Sequence, residues 1–81
     1  MNEVAIVTQI LKNISDGIVS KAGDFQIESQ KFNDIIEAMV HDNLIMNVTL
    51  NRDAKNKVIR VKLADAKLTT FGMVFLENHS K

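Results

Sequence analysis

The sequence of 81 residues predicts a small α+β fold, organised as a single domain over residues 1–81. In the first half, apolar residues recur every three or four positions, which is the period of an amphipathic α-helix. After Asn43 the period changes to two, as in a half-buried β-strand. Hydrophobic residues make up 46% of the chain, which is enough to fill one small core.

The first helix is expected from about Asn2 to Ser15, because Asn2 is a suitable N-cap and an apolar stripe follows it. Gly17 favours the left-handed conformation in which helices often end. A two-residue strand at Ile18-Val19 and a short, irregular second helix over residues 20–26 are expected next. The apolar stripe of the first helix consists of Val4, Val7, Ile10, Leu11 and Ile14.

A third helix is predicted to begin at Glu28 or Ser29. It is expected to end at Asn43, because Asn adopts the left-handed conformation more readily than most residues do. The third helix has an apolar face with the helical period, and this face is expected to point into the core. Its residues are Phe32, Ile35, Ile36, Met39 and Val40.

Two alternating segments around the polar loop 52–57 predict a β-hairpin. The last helix is expected to begin after Thr69, whose hydroxyl can accept a hydrogen bond from an amide of the first turn. The order is then helix, short strand, helix, helix, β-hairpin and C-terminal helix. This is the order of a small winged helix-turn-helix domain, with the hairpin as the wing. The alternating apolar residues are Met46, Val48 and Leu50 on the first strand and Ile59, Val61 and Leu63 on the second.

The predicted core collects the inward-facing residues of these elements. In the last helix, Gly72, Phe75 and Leu76 share one face, which leaves Phe71 and Val74 on the opposite side. The sequence leaves two alternatives open, since this opposite side is either exposed or covered by the first helix. The predicted core residues are Val7, Ile10, Leu11, Ile14, Phe32, Ile35, Ile36, Met39, Leu44, Ile59, Val61, Leu63, Leu68 and Leu76.

Four segments resemble the YjcQ-type family of small winged-helix proteins from Gram-positive bacteria and their phages. The most specific segment is residues 57–76, with its run Ala66-Lys67-Leu68-Thr69 and Gly72. The resemblance implies a winged-helix fold and a connection with a phage or prophage, and it implies no defined biochemical activity. The chain departs from the family pattern at Asn43, which replaces a usual Gly, and at Phe71 and Val74, which replace usual charged residues. The other matching segments are Ile10–Ile14, Phe32–Ile36 and Asp42–Ile45.

The charges are balanced over the whole chain but unevenly distributed along it. Residues 1–51 hold three basic and seven acidic residues, a net charge of −4, whereas residues 52–81 hold seven and three, a net charge of +4. Five of the ten basic residues lie between Arg52 and Lys62. An acidic first half and a basic hairpin make this asymmetry informative about binding partners.

One hypothesis is that the basic wing binds double-stranded DNA as part of a transcriptional regulator. Lys and Arg neutralise phosphates and supply much of the affinity for DNA. The third helix suits this role poorly, because Asp34 and Glu37 on its outer face would be repelled by phosphate. The candidate DNA-binding residues are Arg52, Lys55, Lys57, Arg60 and Lys62 of the wing, with Gln30 and Asn33 on the outer face of the third helix.

The second hypothesis, which we favour, is a protein-binding module that contacts a host or regulatory protein or a second copy of the chain. Asp34 and Glu37 on the third helix suit a basic partner surface. Phe71 and Val74 on the last helix suit an apolar contact, because exposed apolar patches often mark interfaces. These four residues are the candidate partner-binding residues.

An enzyme is the least expected class. There is no cysteine, no Gly-rich phosphate loop and no pattern of a Ser-His-Asp triad. His41 and His79 lie far apart without acidic residues at metal-ligand spacing, so no metal and no cofactor are expected. Neither a small-molecule substrate nor a membrane is expected as a partner, because no apolar run approaches the roughly 20 residues of a membrane span. No secretion signal is apparent, and a cytoplasmic location is expected.

Overall fold

A computed structural model describes residues 2–79. They form three α-helices, which are α1 (Glu3–Ser15), α2 (Ser29–His41) and α3 (Thr70–His79), and a 3-10 helix between α1 and α2 (Ala22–Phe25). The four strands are β1 (Ile45–Met46), β2 (Thr49–Arg52), β3 (Val58–Lys62) and β4 (Lys67–Leu68). The small α+β fold with an antiparallel hairpin is confirmed, and it is compatible with a winged-helix-like fold.

The predicted helix ends are confirmed by local hydrogen bonds and backbone angles. The side chain of Asn2 accepts the N–H of Ala5 at 2.7 Å and caps α1. Gly17 follows α1 with a φ of 76°, and Asn43 follows α2 with a φ of 61°, both in the left-handed region. Asn carries this angle at lower cost than other residues with a Cβ, which explains how it ends α2 without a Gly.

The first strand predicted for the hairpin is divided in two at Asn47. This residue has a φ of 60°, which is incompatible with a continuous extended strand. β1, before the break, pairs antiparallel with β4, and Ile45 faces Leu68 in that pair. β2, after the break, pairs antiparallel with β3 and forms the hairpin. The break at Asn47 therefore splits the predicted strand into two short strands that belong to different sheets.

Two further predictions before α2 need correction. Ile18 and Val19 form no strand, and both are exposed. The N–H of Ile18 donates instead to the carbonyl of Asn13 at the end of α1, at 2.7 Å. The predicted second helix is only the 3-10 helix Ala22–Phe25, which ends at Gln26 because that residue has a φ of 57°. A strand needs a neighbouring strand to accept its hydrogen bonds, and the sequence of a two-residue segment does not reveal one.

A β-bulge in the hairpin makes the predicted position of Ile59 wrong. Asn51 pairs with Arg60, but the next residue, Arg52, pairs with Val58, so Ile59 is the extra residue of the bulge. The bulge interrupts the alternation of the side chains. Val58 is 1% exposed and takes the inward position, whereas Ile59 is 55% exposed.

The core lies between α1, α2 and the strands. Of the fourteen predicted core residues, eight belong to the buried cluster and Ile59 is exposed. The other five are partly buried against the cluster, and these are Val7, Ile14, Leu44, Val61 and Leu76. The rings of Phe25 and Phe32 stack with their centroids 6.3 Å apart. Four buried hydrophobic residues within residues 2–79 were not predicted, which are Ile6, Phe25, Ile45 and Val58.

The first turn of α3 is fastened to the backbone that follows α2. The N–H of Thr69 donates to the carbonyl of Leu44 at 3.1 Å, and its hydroxyl donates to the carbonyl of Asn43. The same hydroxyl accepts the N–H of Gly72 at 3.0 Å, which confirms Thr69 as the cap. A Cβ at position 72 would overlap the carbonyl oxygen of Leu44, so only Gly permits this approach.

Replacing Gly72 with Ala should lower the free energy of unfolding by about 1–3 kcal/mol, because Leu44 or α3 must move away from the added Cβ. Gly23→Ala is the matched control, since a Cβ at position 23 meets no atom within 4 Å. The control should stay within about 0.5 kcal/mol of the parent. Urea unfolding followed by circular dichroism measures both. Equal stability of the two variants would mean that α3 does not rest on Leu44.

Candidate binding surfaces

The loop of the hairpin is shaped by one carboxylate. Oδ1 of Asp53 accepts the backbone N–H groups of Lys55 and Lys57, both at 2.9 Å. The N–H of Asp53 donates to the carbonyl of Lys57, and Asn56 adopts a φ of 65° in the turn between them. These bonds hold the two lysines at the tip of the hairpin, where both side chains are exposed.

The five basic residues predicted for DNA binding do not form one equivalent set. The side chains of Lys55, Lys57, Arg60 and Lys62 are exposed, and none of them forms a salt bridge within residues 2–79. Arg52 differs, because its Nη1 lies 2.6 Å from Oε2 of Glu37 and also donates to the carbonyl of Asn56 at 3.0 Å. Arg52 therefore joins the hairpin to α2, and the other four bases are left without a salt bridge among residues 2–79.

The two polar residues predicted on the outer face of α2 turn towards the hairpin instead. Nε2 of Gln30 donates to Oδ1 of Asp34 at 2.9 Å and to the carbonyl of Val58 at 3.0 Å. Asn33 is only 8% exposed, so its predicted position on the solvent face is wrong. The side of α2 that carries Gln30 and Asn33 packs on β3, and the period of the helix alone does not show where β3 lies.

The face of α2 next to Gln30 and Asn33 is acidic. Asp34, Glu37 and Asp42 border a groove of about 450 Å³ between α2 and β2, together with His41 and Arg52. The apolar part of the groove comes from Ala38, Val40 and Leu50. An acidic rim around apolar side chains suits a basic protein surface better than a phosphate backbone.

The outer side of α3 is apolar. Phe71 is 65% exposed, Met73 56% and Val74 49%, and these three residues are called the α3 patch below. Of the two alternatives left open by the sequence, the exposed one is therefore correct for Phe71 and Val74. Met73 was not predicted, although its place in a helix with apolar residues on every side was a signal for it. It borders a groove of about 470 Å³ beside Met46, whose side chain is also exposed.

The four candidate partner-binding residues lie on two different surfaces. Asp34 and Glu37 border the groove of α2, and α2 packs on β3. Phe71 and Val74 belong to α3, which packs on α1 and β4. This separation depends on how the helices pack, so it could not be predicted from the sequence.

Neither a metal-binding cluster nor a membrane-spanning helix is found within residues 2–79. No group of three or more His, Cys, Asp or Glu side chains is placed to hold a metal ion in this part of the chain. Within the same range, no helix has the length and apolar character that a membrane crossing requires.

Comparison with known proteins gives a family and no individual relative. A family model described as YjcQ protein matches residues 6–81, which is nearly the whole chain. The curated proteins gave no match, and the solved structures gave none either.

Replacing Asp53 with Ala should loosen the loop of the hairpin, because two backbone N–H groups lose their acceptor. Exchange of the Lys55 and Lys57 amide protons should become about tenfold faster, as expected when each loses roughly 1.4 kcal/mol of protection. Asp53→Asn is the control, since it keeps the Oδ1 acceptor. NMR-detected hydrogen exchange compares the variants, and unchanged rates in Asp53→Ala would contradict the role of this carboxylate.

Proposed function

The chain belongs to the YjcQ family, and from this premise we propose that it is a non-enzymatic protein-binding module. Its partner is a host or regulatory protein, in the phage or prophage setting that the family resemblance implies, or a second copy of the chain. The observation that carries the proposal is the α3 patch of Phe71, Met73 and Val74. A soluble protein that exposes neighbouring large apolar side chains on one helix gains little from them unless another molecule covers them.

The composition of α3 supports a contact on its outer side. Its inner side is already used, because Gly72 is buried and Phe75 and Leu76 pack against the core. Glu77 and His79 are its only ionisable side chains, and both lie in its second half. A helix that is apolar on all sides is normally buried on all sides. Contact with a partner over the α3 patch would complete this burial.

The acidic side of α2 also favours a protein partner over DNA. In a helix-turn-helix protein, the helix at this position enters the major groove. Here Asp34, Glu37 and Asp42 lie along it, and their charges oppose the approach of phosphates. The salt bridge between Arg52 and Glu37 neutralises one of these acids and occupies one of the hairpin bases.

Direct DNA binding by the hairpin is the alternative function, as in a sequence-specific or non-specific transcriptional regulator. It is supported by the exposed side chains of Lys55, Lys57, Arg60 and Lys62, which lie on one hairpin without a counter-ion among residues 2–79. Such side chains suit phosphate contacts, which supply affinity without reading the base sequence.

Replacing Phe71 with Lys should abolish the protein contact without lowering the melting temperature of the monomer, because the side chain is 65% exposed and contributes little to the core. Ala54→Lys is the matched control, since it adds the same charge at an exposed position of the hairpin loop, outside α3. Sedimentation velocity detects self-association, and capture on the immobilised chain from an extract of the native host detects another partner.

Association that is lost in Phe71→Lys and retained in Ala54→Lys would support the proposal. If Phe71→Lys associates like the parent, the α3 patch is not the contact surface. If Phe71→Lys unfolds the chain, Phe71 is a core residue and the proposed contact is wrong.

Replacing Lys55, Lys57 and Arg60 together with Ala tests the alternative. Stability should hardly change, because exposed charges contribute little to folding. If the hairpin binds DNA, affinity for a random duplex should fall, and the slope of log K against log salt should decrease by about 2–3, close to 0.9 for each lost phosphate contact. A mobility shift over a salt series measures this. The control replaces Lys12, Lys31 and Lys67 with Ala, and an equal effect of both triple variants would exclude a specific role of the hairpin.

A further inference from the structure

A second groove, of about 310 Å³, lies on the other side of the hairpin. One wall is β3 and the opposite wall is the segment 19–22 that leads into the 3-10 helix. Phe32 and Asn33 of α2 line it between these walls. The buried Ser20 holds the segment in place, because its hydroxyl accepts a hydrogen bond from the side chain of Asn13 at 2.9 Å.

The edge of β3 along this groove has no partner strand. β3 pairs with β2 on one side only, and no backbone hydrogen bond within residues 2–79 joins it to the segment 19–22. Lys21 is nevertheless extended, with a φ of −134° and a ψ of 156°. An unpaired strand edge is a template for a further strand, and peptides bind to many proteins by this strand addition.

Asn33 supplies an unused polar group in the groove. Its side chain is 8% exposed, yet its amide makes no hydrogen bond to any group of residues 2–79. The structure contains no side-chain nitrogen or oxygen in this range that is both sealed from solvent and unpartnered, so the amide of Asn33 opens into the groove. An amide that opens into a groove is hydrated, and a ligand with a donor and an acceptor can replace this water.

The basic residues of the groove favour an acidic ligand. Within residues 2–79, Lys21 and Arg60 are the only ionisable residues that line it, and both are basic. Val19 and Ile59 add two exposed apolar side chains on opposite walls. An extended segment with carboxylates on one face and β-branched side chains on the other matches both features, because alternate side chains of a strand point to opposite faces.

We propose that this groove binds an extended acidic segment of a protein partner, which adds a strand to the open edge of β3. The inference rests on the proposed protein-binding function but uses a surface separate from the α3 patch. The amide of Asn33 pairs with the backbone or a side chain of the segment. The carboxylates of the segment face Lys21 and Arg60.

A second copy of the chain does not suit this edge. Antiparallel pairing of two β3 strands about a twofold axis near Val61 would bring Arg60 of each copy opposite Lys62 of the other. Like charges directly opposite each other destabilise a strand pair, and basic residues on an edge strand are a known protection against self-pairing. The same charges attract an acidic strand.

The probe is a fluorescein-labelled peptide of alternating Val and Glu, about seven residues long to match the length of a typical strand. Fluorescence polarisation with the full chain should show saturable binding. The Lys21→Glu/Arg60→Glu variant should lose at least about tenfold in affinity and should gain affinity for the matching peptide of alternating Val and Lys. The Lys12→Glu/Lys31→Glu variant carries the same change in charge away from the groove and should bind like the parent.

Asn33→Leu separates binding from folding. It should weaken peptide binding about tenfold, by loss of the amide contact. The melting temperature of the free chain should stay close to that of the parent, because the amide opens into the groove and does not bond within the fold. NMR amide shifts caused by the peptide should concentrate at residues 59–62 and 20–22. Peptide binding that is unchanged in both groove variants would overturn the proposal, and so would absence of saturable binding by the parent. Displacement of the peptide by a random DNA duplex at equal concentration would also overturn it, because the groove would then hold phosphates.

Phe71→Lys should bind the peptide like the parent, which keeps the two proposals distinguishable. If the peptide fails to bind while self-association or capture still depends on Phe71, the groove is refuted and the protein-binding function remains. If peptide binding behaves as expected while Phe71→Lys associates normally, the α3 patch is refuted and the groove remains.

Discussion

The fold depends on the attachment of α3 to the backbone of Asn43 and Leu44, just after α2. Thr69 donates its N–H to the carbonyl of Leu44 and its hydroxyl to the carbonyl of Asn43, and Gly72 allows the two backbones to touch. Asn43 is left-handed, so the chain turns sharply there and presents these carbonyls. The short pair of β1 and β4 continues the same junction. One backbone contact therefore sets the position of α3 and determines which of its sides faces α1.

A similar junction on the other side of α2 positions the hairpin. Arg52 binds Glu37, and Gln30 donates to the carbonyl of Val58, so both strands of the hairpin are joined to α2 by side chains. The bulge at Ile59 inserts Val58 into the interior beside α2. These contacts use polar groups that a DNA-reading helix would turn outward. They leave the acidic residues of α2 and the basic residues of β3 on separate surfaces.

The proposed α3 patch and the groove of β3 share one physical argument. In each case a group that folding normally satisfies is left without a partner. On α3 it is apolar area, and in the groove it is a strand edge together with the amide of Asn33. Apolar area exposed to water carries a free-energy cost that binding removes, whereas the strand edge and the amide offer hydrogen-bonding groups that a ligand can take over from water. A protein partner with an apolar surface and an extended acidic segment would satisfy both.

Local patterns in the sequence were sufficient for the elements that depend on neighbouring residues. The caps at Asn2 and Thr69, the left-handed Asn43 and the amphipathic helices follow from interactions within a few positions, so the sequence alone determined them. The same holds for the presence of a hairpin around the loop 52–57, whereas the sequence left open whether Phe71 is exposed or covered.

Tertiary structure decided what depends on distant partners. Asn47 looked like part of an alternating strand, but its left-handed angle sends β1 to β4 and β2 to β3. Asn33 was predicted to be exposed, but β3 packs beside it and buries it. Ile59 was predicted to be buried, but the bulge places it on the surface. The period of the side chains shows which residues share a face of an element, but not which other element packs on that face. The groove of β3 could therefore not be predicted, because it forms between residues 19–22 and 58–62, which are far apart in the sequence.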